Sequence, residues 1–359
     1  MFGTRLHRAR KAAGLSLREL AEQVGVSHTA IKKYEDGAAM PSSTLLLGLA
    51  RALKVRSEYF FRPLSVTLDQ VAYRKHRALP AKRLDAITHE LIEQIERRIE
   101  VEALFPRSPV KPFAPVAGLP EQVQSLEMVE AVAEQVRHAW ALGLNPVPDL
   151  VDTLEFRGIR VFMIDAEADK QFDGLAAQAM YQDQMLPLVV VAHHWPGDRQ
   201  RFTLAHELGH LMLQGRLASH LDEEAACNRF AGAFLFPRAS VLHALGQHRH
   251  ALDIKELALL KASFGLSMAG ILHRAEDLGI ISGACRDGLV RLFREHGWHR
   301  QEPGDPYPSE SARVLEQLVF HALAEDYIGE SKAAELLGMS LAGFRHYRVV
   351  GRNDAAVDQ

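Results

Sequence analysis

The sequence predicts a mainly α-helical protein of the α+β class, organised in several domains. Three observations carry this prediction. Residues 1–62 read as five short helices, the motif HELGH at residues 206–210 lies in a stretch of helical period, and two apolar runs before it have the composition of strands. With 359 residues and 47% hydrophobic side chains, the chain is long enough for separate cores. We expect a helical bundle first, a core with a small sheet around HELGH, and a helical region last.

Serine and glycine residues delimit the helices of the first domain. Ser16, with Glu19 three residues later, forms a capping box at the start of the second helix, which ends at the Gly25 turn. Ser27 caps the third helix. Two helices joined by a tight glycine turn have the spacing of a helix-turn-helix, which indicates that the third helix enters the major groove of DNA.

The outward face of the third helix carries the polar residues that are suited to DNA. Thr29 and His28 lie near base edges, and the following lysines are suited to phosphates. The predicted DNA-binding residues are Arg18, Ser27, His28, Thr29, Lys32 and Lys33. Eleven Lys and Arg against five Asp and Glu give residues 1–62 a charge of +6, which leaves −9 for the rest of a chain of net charge −3. Double-stranded DNA is therefore the expected partner, and a protein-binding or dimerisation bundle is the alternative.

Residues 63–120 are predicted to link the first domain to the second. A short strand is expected in residues 66–76, and residues 80–105 have apolar side chains at helical spacing, which predicts one long helix. Its apolar stripe leaves two packings open, against a second copy in a homodimer or against the body of the following domain. Five prolines in residues 106–120 mark a semi-rigid boundary.

HELGH is the most informative motif of the chain. His206 and His210 lie one turn apart on one helical face, so both imidazoles can reach one Zn²⁺ ion. Zinc lowers the pKa of bound water, and Glu207 is placed as the catalytic base that takes a proton during attack on a peptide carbonyl. The pattern is typical of zinc endopeptidases, and a solvated charged helix face is the alternative. Manganese or iron can occupy a similar ligand set.

The acidic cluster after HELGH is the predicted source of the third ligand. The segment LDEEAACNRFAGAFLFP reads as a second helix, and a reversal through residues 214–221 lays it against the first. Glu224 is the first choice because it shares a helical face with Asn228 and with Gly232, a small residue suited to close approach of the HELGH helix. Glu223, rotated by about 100° around the helix, is the alternative.

The sheet before HELGH is expected to bind substrate. Strands are predicted in GIRVFMID and MLPLVVVAHH, with FDGLA as a third. A peptide can add to an edge strand, so residues 176–180 or 188–193 are the predicted docking edge. The candidate donors to a tetrahedral oxyanion are His193, His194 and Tyr181, although polar surface is the plainer interpretation for each.

The C-terminal region is predicted to be helical and regulatory. SKAAELLGMSLAGFRH has helix-turn-helix spacing, with Arg345, His346 and Arg348 facing outward. A regulatory or oligomerisation helix pair is favoured over a second DNA reader. Residues 254–282 also predict two helices, the second with few basic residues, which are expected to pack on the domain that contains HELGH.

Cysteine content and hydropathy indicate a cytoplasmic protein without a membrane span. There is no apolar run of about eighteen residues, and the first residues read as an amphipathic helix rather than a signal peptide. Cys227 and Cys285 are the two cysteines, too few for a disulfide framework. Cys227, among small residues, is expected to be a packed thiol, with zinc ligation as the alternative.

HELGH together with EEAACNRFAGAFLFP resembles the zinc-peptidase core of the ImmA/IrrE metallo-endopeptidases, and the first 60 residues resemble an Xre-type helix-turn-helix. The resemblance covers residues 1–60 and 150–283. It implies a zincin-like, gluzincin-like fold, with His206, His210 and Glu224 as zinc ligands and Glu207 as catalytic base. Many members have a glutamate two residues before the asparagine that corresponds to Asn228, where this chain has Ala226. The choice between Glu224 and Glu223 therefore stays open.

The resemblance also implies a function. Members of this family act on repressor proteins, so the expected function is a DNA-binding transcriptional regulator that cleaves a repressor or antitoxin-like protein. The alternative is a non-proteolytic repressor or antitoxin-like regulator whose zinc fold serves sensing or partner binding. The predicted domains are the helix-turn-helix domain at 1–62, the linker at 63–120, the zinc metallopeptidase domain at 121–283 and the C-terminal region at 284–359.

Overall fold

The computed structural model describes residues 1–62, 66–69, 81–165, 172–182 and 184–354, without the side chains of 67–69, 81–82 and 350–354. These residues form sixteen α-helices, one 3-10 helix and four strands, which confirms the mainly helical α+β class. The chain divides into two compact units. The first comprises residues 1–109, 179–185 and 313–359, and the second comprises residues 110–178 and 186–312.

The first unit begins with the predicted five-helix bundle. Its elements are α1 (Phe2–Ala12), α2 (Leu17–Val24), α3 (His28–Glu35), α4 (Ser43–Ala52) and the 3-10 helix Ser57–Phe61. The capping box of Ser16 and Glu19 is present, and Gly25 takes the left-handed conformation, with φ 70°, that the turn between α2 and α3 requires. Fully buried Leu20 and Ile31 hold these two helices to the core of the bundle.

A buried ion pair fixes α3 against α1. The guanidinium of Arg10 donates to both carboxylate oxygens of Glu35, at 2.6 and 3.0 Å, and His7 Nδ1 lies 2.9 Å from the same group. Burial raises the pKa of Glu35, but Arg10 and His7 outweigh it and hold the pKa below its ordinary value. The helices approach so closely that a Cβ on Gly3 would lie 2.2 Å from the carbonyl oxygen of Glu35.

The long helix α5 (Ala81–Glu102) is present, and it packs inside the first unit. It contacts α1 and two C-terminal helices, α14 (Val314–Ala324) and α15 (Glu330–Leu336), while α16 (Leu341–Asp354) packs on α15. Buried Arg5 of α1 pairs with Glu93 and Glu96 of α5. From the sequence, the apolar stripe of α5 was expected to pack against a second copy or against the body of the following domain. In the structure, α5 instead packs against the N-terminal bundle and the C-terminal helices.

The second unit is built from helices around the sheet. It contains α6 (Leu126–Ala139), α7 (Leu150–Phe156), α8 (Gly197–Leu213), α9 (Glu223–Leu235), α10 (Arg238–Leu245), α11 (Ile254–Phe264), α12 (Met268–Asp277) and α13 (Gly283–Glu295). The strands are β1 (Thr67–Asp69), β2 (Arg160–Ile164), β3 (Gly174–Tyr181) and β4 (Gln184–Ala192). Of these, β1 and the adjoining ends of β3 and β4 group with the first unit, and the other strand residues with the second. The fold therefore places α8, which carries HELGH, directly after β4.

The sheet order is β1-β3-β4-β2, and β4 runs parallel to β2 with Val189 opposite Val161. Because β4 has a paired strand on each side, the prediction that residues 188–193 form a docking edge is wrong. The third predicted strand is longer than FDGLA, since β3 continues to Tyr181. Residues 176–180 lie in β3, between β4 and the three-residue β1, and their docking role stays a prediction.

The packing of α8 on α9 forms the centre of the second unit. Gly209 of α8 allows the contact, because a Cβ there would lie 3.3 Å from the Cα of Cys227 and 3.2 Å from the ring of Phe230. The prediction that Gly232 serves this purpose is wrong, since Gly232 faces the side chain of Arg274. The helices thus meet at the HELGH motif itself.

The turn-rich segment after α13 belongs to the second unit as far as Ala312. Glu310 accepts hydrogen bonds from the backbone amides of Leu150 and Val151, at 2.9 and 2.8 Å, and pairs with buried Arg201. The segment is therefore anchored to α7 and α8. The predicted domain boundaries stay predictions.

None of the helices in the described ranges combines the length and the apolar character needed to cross a bilayer.

We predict that Glu35→Gln destabilises the α1–α3 contact by about 3 kcal/mol, because it leaves Arg10 as an uncompensated buried cation. The carboxyl of Glu35 has a lowered pKa in the folded state, so its contribution is present above the ordinary glutamate pKa and is lost as the pH falls through the lowered one. Hydrogen exchange of the α1 and α3 amides in the full chain measures the opening free energy.

Asp36→Asn is the matched control, because its partner Lys32 is exposed and the loss should be only about 0.3–0.5 kcal/mol. Equal effects of the two substitutions would contradict the assigned role of the buried pair.

Candidate metal centre and DNA-facing helix

The metal-site candidates of α8 lie on successive turns of one helical face. His206 and His210 have ring centroids 5.0 Å apart, and their Nε2 atoms are separated by 3.2 Å. Leu204 and Leu208 of the same helix are fully buried in the core, so the face that carries the imidazoles is fixed relative to it.

The start of α9 brings the acidic cluster to the two histidines. Asp222 caps the helix by accepting from the amide of Ala225 at 2.7 Å. In the next turn, the carboxylate of Glu224 lies 3.4 Å from the Nε2 of His206 and 3.4 Å from the Nε2 of His210. Glu224 therefore spans both rings on the side where their Nε2 atoms converge.

The other ring nitrogens have different partners. His210 Nδ1 lies 3.0 Å from Glu223 Oε1, and His206 Nδ1 lies 2.9 Å from Asn228 Oδ1. Because both partners are oxygen acceptors, we assign the ring protons to Nδ1. This arrangement separates the two acidic candidates: Glu224 faces the Nε2 pair, and Glu223 orients one ring from behind.

The residues present fit a metal ion of the zinc type. With the protons on Nδ1, two Nε2 lone pairs face each other at 3.2 Å beside a carboxylate, an arrangement that a cation would stabilise. Two imidazole nitrogens and one carboxylate oxygen are also a ligand set that catalytic zinc sites use.

Cys227 is a further potential ligand beside this pair. It is completely buried, and its Sγ lies within 4.8 Å of ring nitrogens of His206 and His210. From the sequence, a packed thiol was favoured over a zinc ligand at this position. The adjacency of Cys227 to Gly209 explains its location, since the closest point between α8 and α9 falls there.

Glu207 is buried, with 7% of its surface exposed. Its Cγ lies close to the start of β3, at 3.6 Å from where a Cβ on Gly174 would stand. The same Cβ would lie 2.5 Å from Thr203 and from the carbonyl oxygen of Val190, so a glycine is required for the strand to approach α8 here. Glu207 is thus enclosed between its own helix and the first residue of β3.

The three predicted oxyanion donors occupy different environments. His194 contacts Trp195 with the two rings tilted by 44° and their centroids 4.3 Å apart, and His193 is exposed. Tyr181 ends β3 in the part of the hairpin that groups with the first unit. Their role in catalysis stays a prediction.

All six predicted DNA-binding residues are exposed: Arg18, Ser27, His28, Thr29, Lys32 and Lys33. Ser27 Oγ accepts from the amide of Ala30 at 3.2 Å and lies 2.9 Å from Thr29 Oγ1, so these hydroxyls shape the start of α3. Lys32 pairs with Asp36 at 2.6 Å on the surface. The outer face of α3 is therefore cationic and open along its length.

The C-terminal helix-turn-helix spacing corresponds to α15 and α16. Arg345 and Arg348 of α16 both bind the carboxylate of Glu330, at 2.8 and 2.7 Å. This pairing partly neutralises the face that was the second DNA-binding candidate in the sequence. On α3, Lys32 is paired in the same way with Asp36, and Lys33 is exposed.

These features define two classes of module, a helix-turn-helix bundle and a helical metallopeptidase-like core with HELGH on its central helix. The comparisons with known families agree. The model of a helix-turn-helix domain matches residues 1–58, and the model of the IrrE N-terminal-like domain, of the M78 peptidase family, matches residues 155–276. The two matched regions follow each other along the chain in the fused arrangement that the resemblance predicted. No curated protein matches it.

Proposed function

We propose that the protein is a transcriptional regulator with zinc-dependent endopeptidase activity, which binds DNA through α3 and cleaves a repressor or antitoxin-like protein. The observation that supports the peptidase activity best is the convergence of His206, His210 and Glu224, with Glu207 buried beside them. A non-proteolytic regulator needs no enclosed glutamate next to the two histidines.

The proposal assigns a role to each residue of the site. His206, His210 and Glu224 hold Zn²⁺, which when bound acts as a Lewis acid and lowers the pKa of water. Glu207 accepts the proton of the attacking water and returns it to the leaving amine, as a general base and then a general acid. Glu223 and Asn228 keep the two imidazoles in the orientation that presents Nε2.

The DNA-binding module gives the peptidase its location in this proposal. The excess positive charge of residues 1–62 and the exposed face of α3 are suited to phosphates and base edges. A peptidase bound to DNA has a raised effective concentration toward a substrate bound nearby. Repressors bound to adjacent operators are therefore the substrate class that fits both modules.

We predict that Glu207→Gln keeps the metal content of the wild type but lowers cleavage by at least about 100-fold, because it removes only the proton transfer. His206→Ala should lose the metal together with cleavage. The assay mixes the full-length protein with purified regulators encoded by neighbouring genes, with and without chelator, and metal content is measured in parallel. Unchanged cleavage by Glu207→Gln would contradict the assigned catalytic base, and the absence of chelator-sensitive cleavage by the wild type would favour the non-proteolytic regulator.

We predict that Glu224→Gln loses zinc, because the residue contacts both Nε2 atoms. Glu223→Gln should weaken zinc binding by only about 10–100-fold, as expected for a partner that orients a ligand. Competition with a chromophoric chelator measures both affinities. Cys227→Ser is the third arm, and zinc loss there with full retention in Glu224→Gln would transfer the ligand role to the thiol.

We predict that Lys33→Ala weakens binding to all DNA sequences and reduces the slope of log K against log salt by about 0.9, the value for one phosphate contact. Thr29→Ala should instead change the preference among operators. Fluorescence anisotropy over a salt series measures both. Lys255→Ala, which removes an exposed charge from the second unit, is the control, and an equal effect there would contradict the role of α3.

A further inference from the structure

A second site lies in the second unit, near the start of α8. A cavity of about 340 Å³ opens between the first turns of α8, the region of α11 and α12, and the turn-rich segment that follows α13. This volume is within the range of small-molecule sites in proteins. None of the proposed metal ligands lines it, and neither the peptidase nor the DNA-binding function requires it.

Three aromatic side chains line the cavity: Trp195, Phe202 and Trp298. Two of the three tryptophans of the chain therefore line this cavity. Trp195 is held in place by Arg199, whose guanidinium carbon lies 3.5 Å from the ring centroid and whose Nη2 pairs with Asp173 at 2.6 Å. A flat ring would find aromatic surfaces with fixed orientations here.

The polar part of the cavity is a buried cluster of Asp198, Lys261 and Glu302. The ammonium of Lys261 lies 3.0 Å from Asp198 Oδ2 and 2.9 Å from Glu302 Oε2. Glu302 also accepts from the amides of Met268 and Ala269, at 3.0 and 3.1 Å, so its oxygens are satisfied at the start of α12. Two carboxylates around one ammonium leave the cluster with one negative charge.

Asp198 is the group whose bonding is incomplete. It is 5% exposed, and its Oδ1 has no hydrogen-bond partner among the described residues. A buried acceptor without a donor costs about 1–3 kcal/mol, and more when it is charged. The other cations of the lining do not meet this need, since Arg199 is paired with Asp173, and Arg300 and His299 are exposed.

We propose that this cavity binds a small aromatic amine. The ring packs among Trp195, Phe202 and Trp298, and the protonated amine donates to Oδ1 of Asp198, which balances the negative charge of the cluster. The aromatic walls favour a cation as well as a ring, because the faces of tryptophan attract positive charge. Phe202 is one turn before His206, with ring centroids 6.5 Å apart, so the ligand sits beside the proposed metal centre.

The test measures binding of three probes to the full-length protein: 2-phenylethylamine, its neutral isostere 2-phenylethanol, and the anion 3-phenylpropionate. Calorimetry should show the amine binding at least about tenfold tighter than the alcohol, with the anion weakest. The amine should also change the emission of Trp195 and Trp298. Binding should persist with chelator and in Glu207→Gln, so this result is independent of the peptidase proposal.

Two variants locate the site. Asp198→Asn should remove the preference for the amine over the alcohol, and Trp298→Ala should weaken both at least about tenfold while thermal unfolding confirms that the protein is folded. Asp305→Asn, an exposed acid of the same segment, is the matched control and should bind like wild type. Equal affinities for amine and alcohol, an unchanged preference in Asp198→Asn, or no binding of any probe would overturn the proposal.

Discussion

The close packing of α8 on α9 is the constraint on which the second unit depends. The helices touch at Gly209, inside HELGH, and a side chain there would press on the backbone at Cys227. Only at this separation does the carboxylate of Glu224 reach both Nε2 atoms while Asn228 reaches the Nδ1 of His206. The same contact thus serves the core and the geometry of the metal centre, which explains why a glycine stands in the middle of a buried helix despite its helical cost of about 1 kcal/mol.

Features that depend on neighbours in sequence could be predicted. The capping box, the serine caps and the glycine turns of the first bundle act over three or four residues, and the five helices lie where the sequence predicted them. The facing of His206 and His210 follows from the helical period, and the proximity of Glu224 follows from a short reversal between two amphipathic helices. Periodicity identifies such elements because it records which face of a helix is buried.

Features that depend on distant pairing could not be predicted in this way. The period of β4 does not reveal that strands lie on both sides of it, and the stripe of α5 does not reveal that its partners include helices more than 200 residues later. The contacts of Glu310 with Arg201 and with the start of α7 join residues more than 100 positions apart. The sequence also does not show which glycine lies at a helix–helix contact. Gly209 faces Cys227 and Phe230 across the contact of α8 with α9, whereas Gly232 faces the side chain of Arg274.

The anchoring of α8 at its first turns gives the aromatic cavity its relation to the metal centre. Arg201 is completely buried, pairs with Glu310 and donates to the carbonyl of Val147 at 2.7 Å, so the backbone of α8 is fixed on that side. Asp198 and His206 are separated by about 12 Å along the rigid helix. A ligand in the cavity therefore cannot displace α8 as a whole without breaking a buried ion pair. Its effect on the metal centre must pass through side chains on the open face, and Phe202, which lines the cavity and faces the ring of His206, is the side chain that joins the two sites.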